Sequence, residues 1–253
     1  MFTRVIGLVA TLAVLIGTTF LIEMPANPMS IFVVDGMFGE SEDDTENDEI
    51  KIKIAPQDLA ETAWMLLLVN DQHPIPQGYT PDLSQLDNGL YFDARAIEYL
   101  NAMINAARAQ GLAPIVVSAY RTIERQSRLF MDKVITLMEE GYTREQAEAI
   151  TKTTIAYPGH SEHQTGLAVD IAPAYFPYLE EEVAETPEIK WLMENCAKYG
   201  FILRYPKGKE EITGIAYEPW HFRYVGIEAA QEIMARGITL EEYWMERETM
   251  RRP

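Results

Sequence analysis

The chain contains a single cysteine, Cys196, among 253 residues. One thiol forms no intrachain disulfide and builds no cysteine-based zinc cluster. Stability must come from packing, or from a metal held by histidine and carboxylate. Positive charge is also scarce. Lys and Arg number 21 against 39 Asp and Glu, a formal net charge of −18. Phosphate binding needs clustered Lys and Arg, so this balance argues against a nucleic-acid partner. It argues equally against docking on an anionic lipid surface through basic side chains. Internal repeats and low-complexity tracts are absent. Several catalytic signatures are missing too. None of the six serines is followed at the third position by lysine, no Gly-x-Ser-x-Gly occurs, and there is no His-Glu-x-x-His string. What the chain does have is an ordinary apolar fraction of 47%, enough to bury a core.

One long apolar run stands at the start. Val5–Ile22 is 18 residues without a charge, preceded by Arg4. As a helix it spans roughly 27 Å, close to the thickness of a bilayer core. Its basic N-side flank and acidic C-side predict an N-in orientation with the rest of the chain outside. Residues 1–24 therefore read as a membrane anchor. The alternative is a secretory signal cleaved near Asn27, although Pro25-Ala26-Asn27 matches a small-x-small cleavage site poorly. Asp35–Glu49 carries eight acids and no Lys or Arg. Such a stretch buries too little to order itself, so residues 25–55 read as an acidic flexible spacer.

Residues 56–253 read as one folded domain, with 30 acids against 18 bases. Helices are predicted over Gln57–Val69, Asp93–Gln110, Thr122–Glu140, Thr143–Thr154, Pro187–Tyr199, Ile227–Arg236 and Thr239–Glu248. Thr143-x-x-Gln146 and Thr239-x-x-Glu242 are capping boxes, Pro187 follows Thr186 at a first helical position, and Gly200 and Gly237 stand where helices stop. Strands are predicted over Pro114–Ser118, Leu167–Ile171, Phe201–Arg204 and Trp220–Tyr224. Helices in runs, with a few short strands and no strict alternation, make an α+β fold.

The four histidines are His73, His160, His163 and His221. Three lie in two compact clusters with carboxylates. GHSEHQTGLAVDI carries His160, His163 and Asp170; EPWHFRY carries Glu218 and His221. On a strand, Asp170 and Ala168 share one face while Leu167, Val169 and Ile171 share the other. An acid on a mostly apolar strand needs a partner if buried, and a cation is one; an edge-strand Asp facing water is the alternative. Pro219 and Trp220 give Glu218 rigid, partly dry surroundings that raise a carboxylate pKa toward neutrality. Two histidines and one aspartate complete a three-ligand zinc site with an open position. SAYR, Ser118–Arg121, follows the apolar run PIVV and sets a basic residue at a strand end, suited to an anionic group or, alternatively, to pairing with Glu124. Cys196, in MENCAKYG, reads as an inert packing residue.

Three ordered motifs together resemble the VanY-type D-alanyl-D-alanine carboxypeptidases, zinc peptidases of the fold shared with lysostaphin and hedgehog domains. They are Ser-x-x-Arg at Ser118–Arg121, Ser-x-His-x-x-Gly-x-Ala-x-Asp at Ser161–Asp170, and Glu-x-x-His at Glu218–His221. LLLVNDQHPIPQGYTPDL, Leu66–Leu83, resembles the N-terminal wrap of such enzymes, so the likeness covers about residues 60–235. It implies a single zinc-peptidase domain with a small antiparallel sheet flanked by helices. It implies zinc on His163, Asp170 and His221, with Glu218 as general base and then acid. Arg121 is implied to bind substrate and to stabilise charge at the scissile carbonyl, with Ser161 and Gln126 positioning the peptide and His160 outside the ligand set. The implied substrate is a peptidoglycan stem peptide ending in D-alanine, met outside the membrane. L,D-carboxypeptidase action on tetrapeptide stems, or a zinc-stabilised binding module, are the alternatives. The helical pair within Asp132–Thr154 stands between the first two motifs, placed to shape the cleft.

Overall fold

The computed structural model describes residues 63–251. The predicted anchor, the acidic spacer and most of the helix expected over Gln57–Val69 lie outside these. Of that helix, residues 63–66 form a turn and residues 67–69 are not helical. In chain order the elements are β1 (Leu83–Gln85), β2 (Tyr91–Asp93), α1 (Ile97–Ala109), β3 (Pro114–Ser118), α2 (Ile123–Glu139) and α3 (Arg144–Lys152). Then come β4 (Ala168–Pro173), α4 (Pro187–Asn195), β5 (Phe201–Leu203), the single turn α5 (Glu210–Thr213), β6 (His221–Tyr224), α6 (Ile227–Arg236) and α7 (Leu240–Arg251). This is the expected α+β domain with a small antiparallel sheet among helices. Among the described residues no helix is long and apolar enough to cross a membrane.

Four helices begin where a side chain satisfies one of their first amides. Thr122 accepts from Arg125 N at 3.2 Å to start α2. Thr143 and Gln146 exchange 3.0 and 3.2 Å bonds at α3, and Thr239 and Glu242 do the same at α7 with 2.8 and 3.2 Å. Pro187 occupies the first turn of α4 behind its cap Thr186. The predicted helix Pro187–Tyr199 divides: α4 stops at Asn195 and a 3-10 turn runs Cys196–Tyr199. Gly200 ends it at φ 81°, against the Tyr224 ring, where an added Cβ would lie 2.7 Å from that ring. Cys196 is fully buried and burial pushes its thiol up to about 12, as an inert packing residue requires.

Four strands form an antiparallel sheet in the order β3-β4-β6-β5. β4 is therefore internal and buried throughout, which removes the reading of Asp170 as a water-facing edge residue. Val169, Ile171, Phe201 and Phe222 face a core shared with Leu100 and Met103 of α1 and Ile189 and Leu192 of α4. The opposite face is polar. Register sets Ser118 opposite Asp170, and Asp170 opposite His221, so one row across three strands carries three motif residues. A bulge between Val116 and Ser118 shifts the β3 register at this row.

Candidate metal centre and active site

The sheet row supplies Asp170 and His221; the third residue comes from a turn. A 3-10 turn, Glu162–Thr165, ends at Gly166 with φ 77° and feeds β4. A side chain at Gly166 would be strained, and its Cβ would meet Leu83 Cδ2 at 3.0 Å. The turn is clamped from both sides. Arg121 N donates to the His163 carbonyl at 3.1 Å, and His163 Nδ1 lies 2.7 Å from the Ala119 carbonyl. A carbonyl only accepts, so Nδ1 carries the proton and Nε2 presents its lone pair to the site.

His163 Nε2 lies 3.1 Å from Asp170 Oδ2, and His221 Nδ1 lies 2.9 Å from Asp170 Oδ1. One ligand atom from each of the three residues falls within 4.8 Å of the others. Tetrahedral zinc with bonds of ~2.0–2.1 Å needs ligand atoms roughly 3.4 Å apart. The set also has the right chemistry, two imidazoles and a carboxylate. His163 Nε2 is buried with no hydrogen-bond partner, which a bound cation would satisfy. These residues fit zinc with a fourth position open toward the cleft.

Electrostatics separate the two carboxylates at the site. Burial opposes ionisation of Asp170, but His163 and His221 outweigh it and hold the carboxyl well below its usual range. Glu218 lies at the cleft edge of His221, with Oε2 3.7 Å from Nδ1. Burial raises its pKa to about 8, with Asp170 and Glu162 adding to the effect and His221 and Arg121 opposing it. Asp170 is thus held ionised, while Glu218 is mostly protonated at neutral pH unless a nearby cation favours its ionised form. The histidines differ too. Burial and the Arg121 charge lower His163 to about 4. For His221 burial is overcome by the hydrogen bond to Asp170 and by the nearby Glu162 carboxylate, raising it to about 9.

Arg121 does not pair with Glu124. It donates to Ser118 Oγ at 3.1 Å, Gln126 Oε1 at 3.1 Å and Asp170 Oδ2 at 2.9 Å. Gln126 is fully buried, and its amide also donates to the Ala156 carbonyl at 2.7 Å. The geometry therefore gives Gln126 the task of holding Arg121 and the Ala156 loop. Ser161, Arg121, Gln126, His163, Asp170, Glu218 and His221 all line one cleft of about 520 Å³. Of the segment Asp132–Thr154 only Thr154 lines the cleft; its flanking residues Leu129 and Ile155 form part of the wall. His160 stays outside, with Nδ1 2.8 Å from the Asn70 carbonyl.

The sequence profile of the VanY family, described as D-alanyl-D-alanine carboxypeptidase, matches residues 89–227. The chain belongs to this family. A D-alanyl-D-alanine carboxypeptidase of Enterococcus faecalis is 47% identical over 196 residues, 78% of this chain and 71% of that one. Two solved VanY structures are 50% identical, with a TM-score of 0.66 over 72% of this chain. One is VanYB in complex with D-alanine-D-alanine and covers 97% of its chain. The other is a glutamate-to-alanine mutant of the vancomycin-resistance D,D-pentapeptidase in complex with Zn(II), 99% covered. The LdcB LD-carboxypeptidase is 40% identical, with a TM-score of 0.61 over 70% of this chain and 84% of its own. Membership makes the chain a zinc carboxypeptidase, a hydrolase, and supports zinc as the ion for the His163–Asp170–His221 set.

Sequence reasoning passed over three residues of this VanY-family site. Tyr205 and Tyr217 line the cleft, and the Tyr205 ring centroid lies 4.8 Å from that of His221. Glu162 stands between the motif positions Ser161 and His163. In the fold it is 1% exposed, and Arg204 and Arg223 donate to its Oε1 at 2.8 and 2.7 Å.

Proposed function

We propose that the protein removes the terminal D-alanine from peptidoglycan stem peptides on the outer side of the cell membrane. The observation that carries this reading is the position of Glu218, a proton acceptor beside the open side of a three-ligand metal set in a peptide-sized cleft. His163, Asp170 and His221 would hold the zinc, which would supply Lewis-acid polarisation at the scissile carbonyl. Glu218 takes a proton from the attacking water as its oxygen bonds to the carbonyl carbon, and returns it to the D-alanine amine as the C–N bond breaks. Arg121, fixed by Ser118 and Gln126, sets its guanidinium beside Asp170 and offsets charge gathering on the carbonyl oxygen. Ser161 and the cleft walls orient the peptide, and a cleft of about 520 Å³ has room for more than the terminal dipeptide.

Mass spectrometry of a pentapeptide stem ending in D-Ala-D-Ala, with and without chelator, tests this directly. Loss of one alanine only in the chelator-free sample is expected. The likeness to an LD-carboxypeptidase favours a second reading, cleavage of tetrapeptide stems. A tetrapeptide trimmed while the pentapeptide stays intact would replace the first reading with that one. On either reading, Val5–Ile22 anchors the enzyme with its cleft outside. Protease accessibility of the domain in intact cells, with the chain in the membrane fraction, is the expected result. A soluble form beginning near Asn27 would show secretion after cleavage instead.

A further inference from the structure

The two metal-facing histidines present different nitrogens, and only one has an obvious reason to do so. His163 is fixed by the Ala119 carbonyl on Nδ1, so it offers Nε2. His221 turns the other way: Nδ1 meets Asp170 at 2.9 Å, and Nε2 points behind the site. There Nε2 lies 3.6 Å from Glu162 Oε2. Both atoms are buried, and neither has a hydrogen-bond partner. A buried imidazole N–H and a buried carboxylate oxygen without partners are each costly. Each is the group the other needs. Closing the gap takes a shift of roughly 0.5 Å, to the 2.7–3.2 Å of a hydrogen bond.

Glu162 is held firmly in that place. Its side chain is fully buried. Arg204 and Arg223 both donate to Oε1, leaving Oε2 aimed at His221. Arg204 is held in turn by Glu241 through bonds of 2.9 and 2.6 Å. Arg223 is held by the Met65 and Leu67 carbonyls at 3.0 and 2.8 Å. The carboxylate thus sits in a rigid frame that cannot swing toward water.

We infer that Glu162 is a positioning residue of the metal centre: it accepts the Nε2–H of His221 and so fixes the ring with Nδ1 toward the metal. Carboxylate-held histidines are stronger and better-oriented ligands. The inference rests on the metal reading of the same site, and its test separates the two. In the zinc-loaded full chain, imidazole nitrogen NMR should find His221 protonated on Nε2 and His163 on Nδ1. A His221 protonated on Nδ1 overturns the assignment and needs no mutant. Glu162→Gln should weaken zinc binding by ~10–100-fold in chelator competition. Glu241→Gln removes equal charge from the same arginine without facing His221, and should leave zinc affinity within about threefold. A folded Glu162→Gln protein with unchanged zinc affinity, or an equal loss in both variants, overturns the positioning role. Failure of the wild-type chain to take up zinc would instead overturn the metal reading itself.

Discussion

The two faces of β4 and β6 make the most instructive contrast in the molecule. On one face Val169, Ile171 and Phe222 are fully buried among apolar side chains. On the other, Asp170, His221 and Arg223 are equally inaccessible but charged or polar. Burying a large apolar side chain contributes about 1.5–3 kcal/mol. A buried ion pair gains little over an apolar pair of the same shape, yet breaking one costs about 3–5 kcal/mol. The apolar face therefore holds the fold, and the polar face is tolerated for what it binds. Alternation along a strand lets one short segment do both, because neighbouring residues answer to different neighbours.

Four substitutions break or sharpen this contrast, in descending order of effect. His163→Ala removes a ligand from the polar side only. Zinc content should fall to near zero and stem-peptide hydrolysis to background, while circular dichroism stays close to wild type. Glu218→Gln keeps the side-chain volume but accepts no proton at neutral pH. It should retain zinc while kcat falls by ~10²–10⁴-fold, with KM little changed. The wild-type pH profile belongs to the same test. A carboxyl raised to about 8 is protonated and inactive below that value. A bound cation favours its ionised form, so activity should rise with pH along a limb at or below about 8. That limb should vanish in the glutamine variant.

Leu192→Ala acts on the other side of the contrast. Leu192 is fully buried on α4 beneath the sheet, so denaturant melts should show a loss of about 2–5 kcal/mol. Zinc per folded molecule and kcat should not move. Thr143→Ala gives the smallest effect. It removes a cap of α3, away from both faces, and should cost about 1 kcal/mol with no kinetic change.

Local chemistry made much of this legible in advance. Capping residues announced α3, α4 and α7, because each cap satisfies amides within three positions of itself. The motif spacings brought His163, Asp170, Glu218 and His221 to one cleft, since turn, strand and adjacent strand leave them few places to go. The β1–β2 hairpin escaped notice: strands of three residues are too short to show alternation. The Gln57–Val69 reading failed over residues 63–69 because Arg223 takes the Met65 and Leu67 carbonyls that a helix would have used. Glu162 stayed hidden for a related reason. Its arginines stand 42 and 61 positions away, and no local pattern reports a pairing at that distance.

The bulge in β3 has a consequence for the edge of the cleft. In a regular strand, consecutive side chains leave on opposite sides. Here the extra residue lets Val117 and Ser118 both border the cleft, at the point where β3 meets Asp170. A ligand reaching that edge meets methyl groups and a hydroxyl one residue apart, with the Arg121 guanidinium 3.1 Å beyond the hydroxyl oxygen. Deleting Val117 should restore an unbroken ladder and take one side chain from this edge of the cleft, while the Ser118–Arg121 hydrogen bond stays in place.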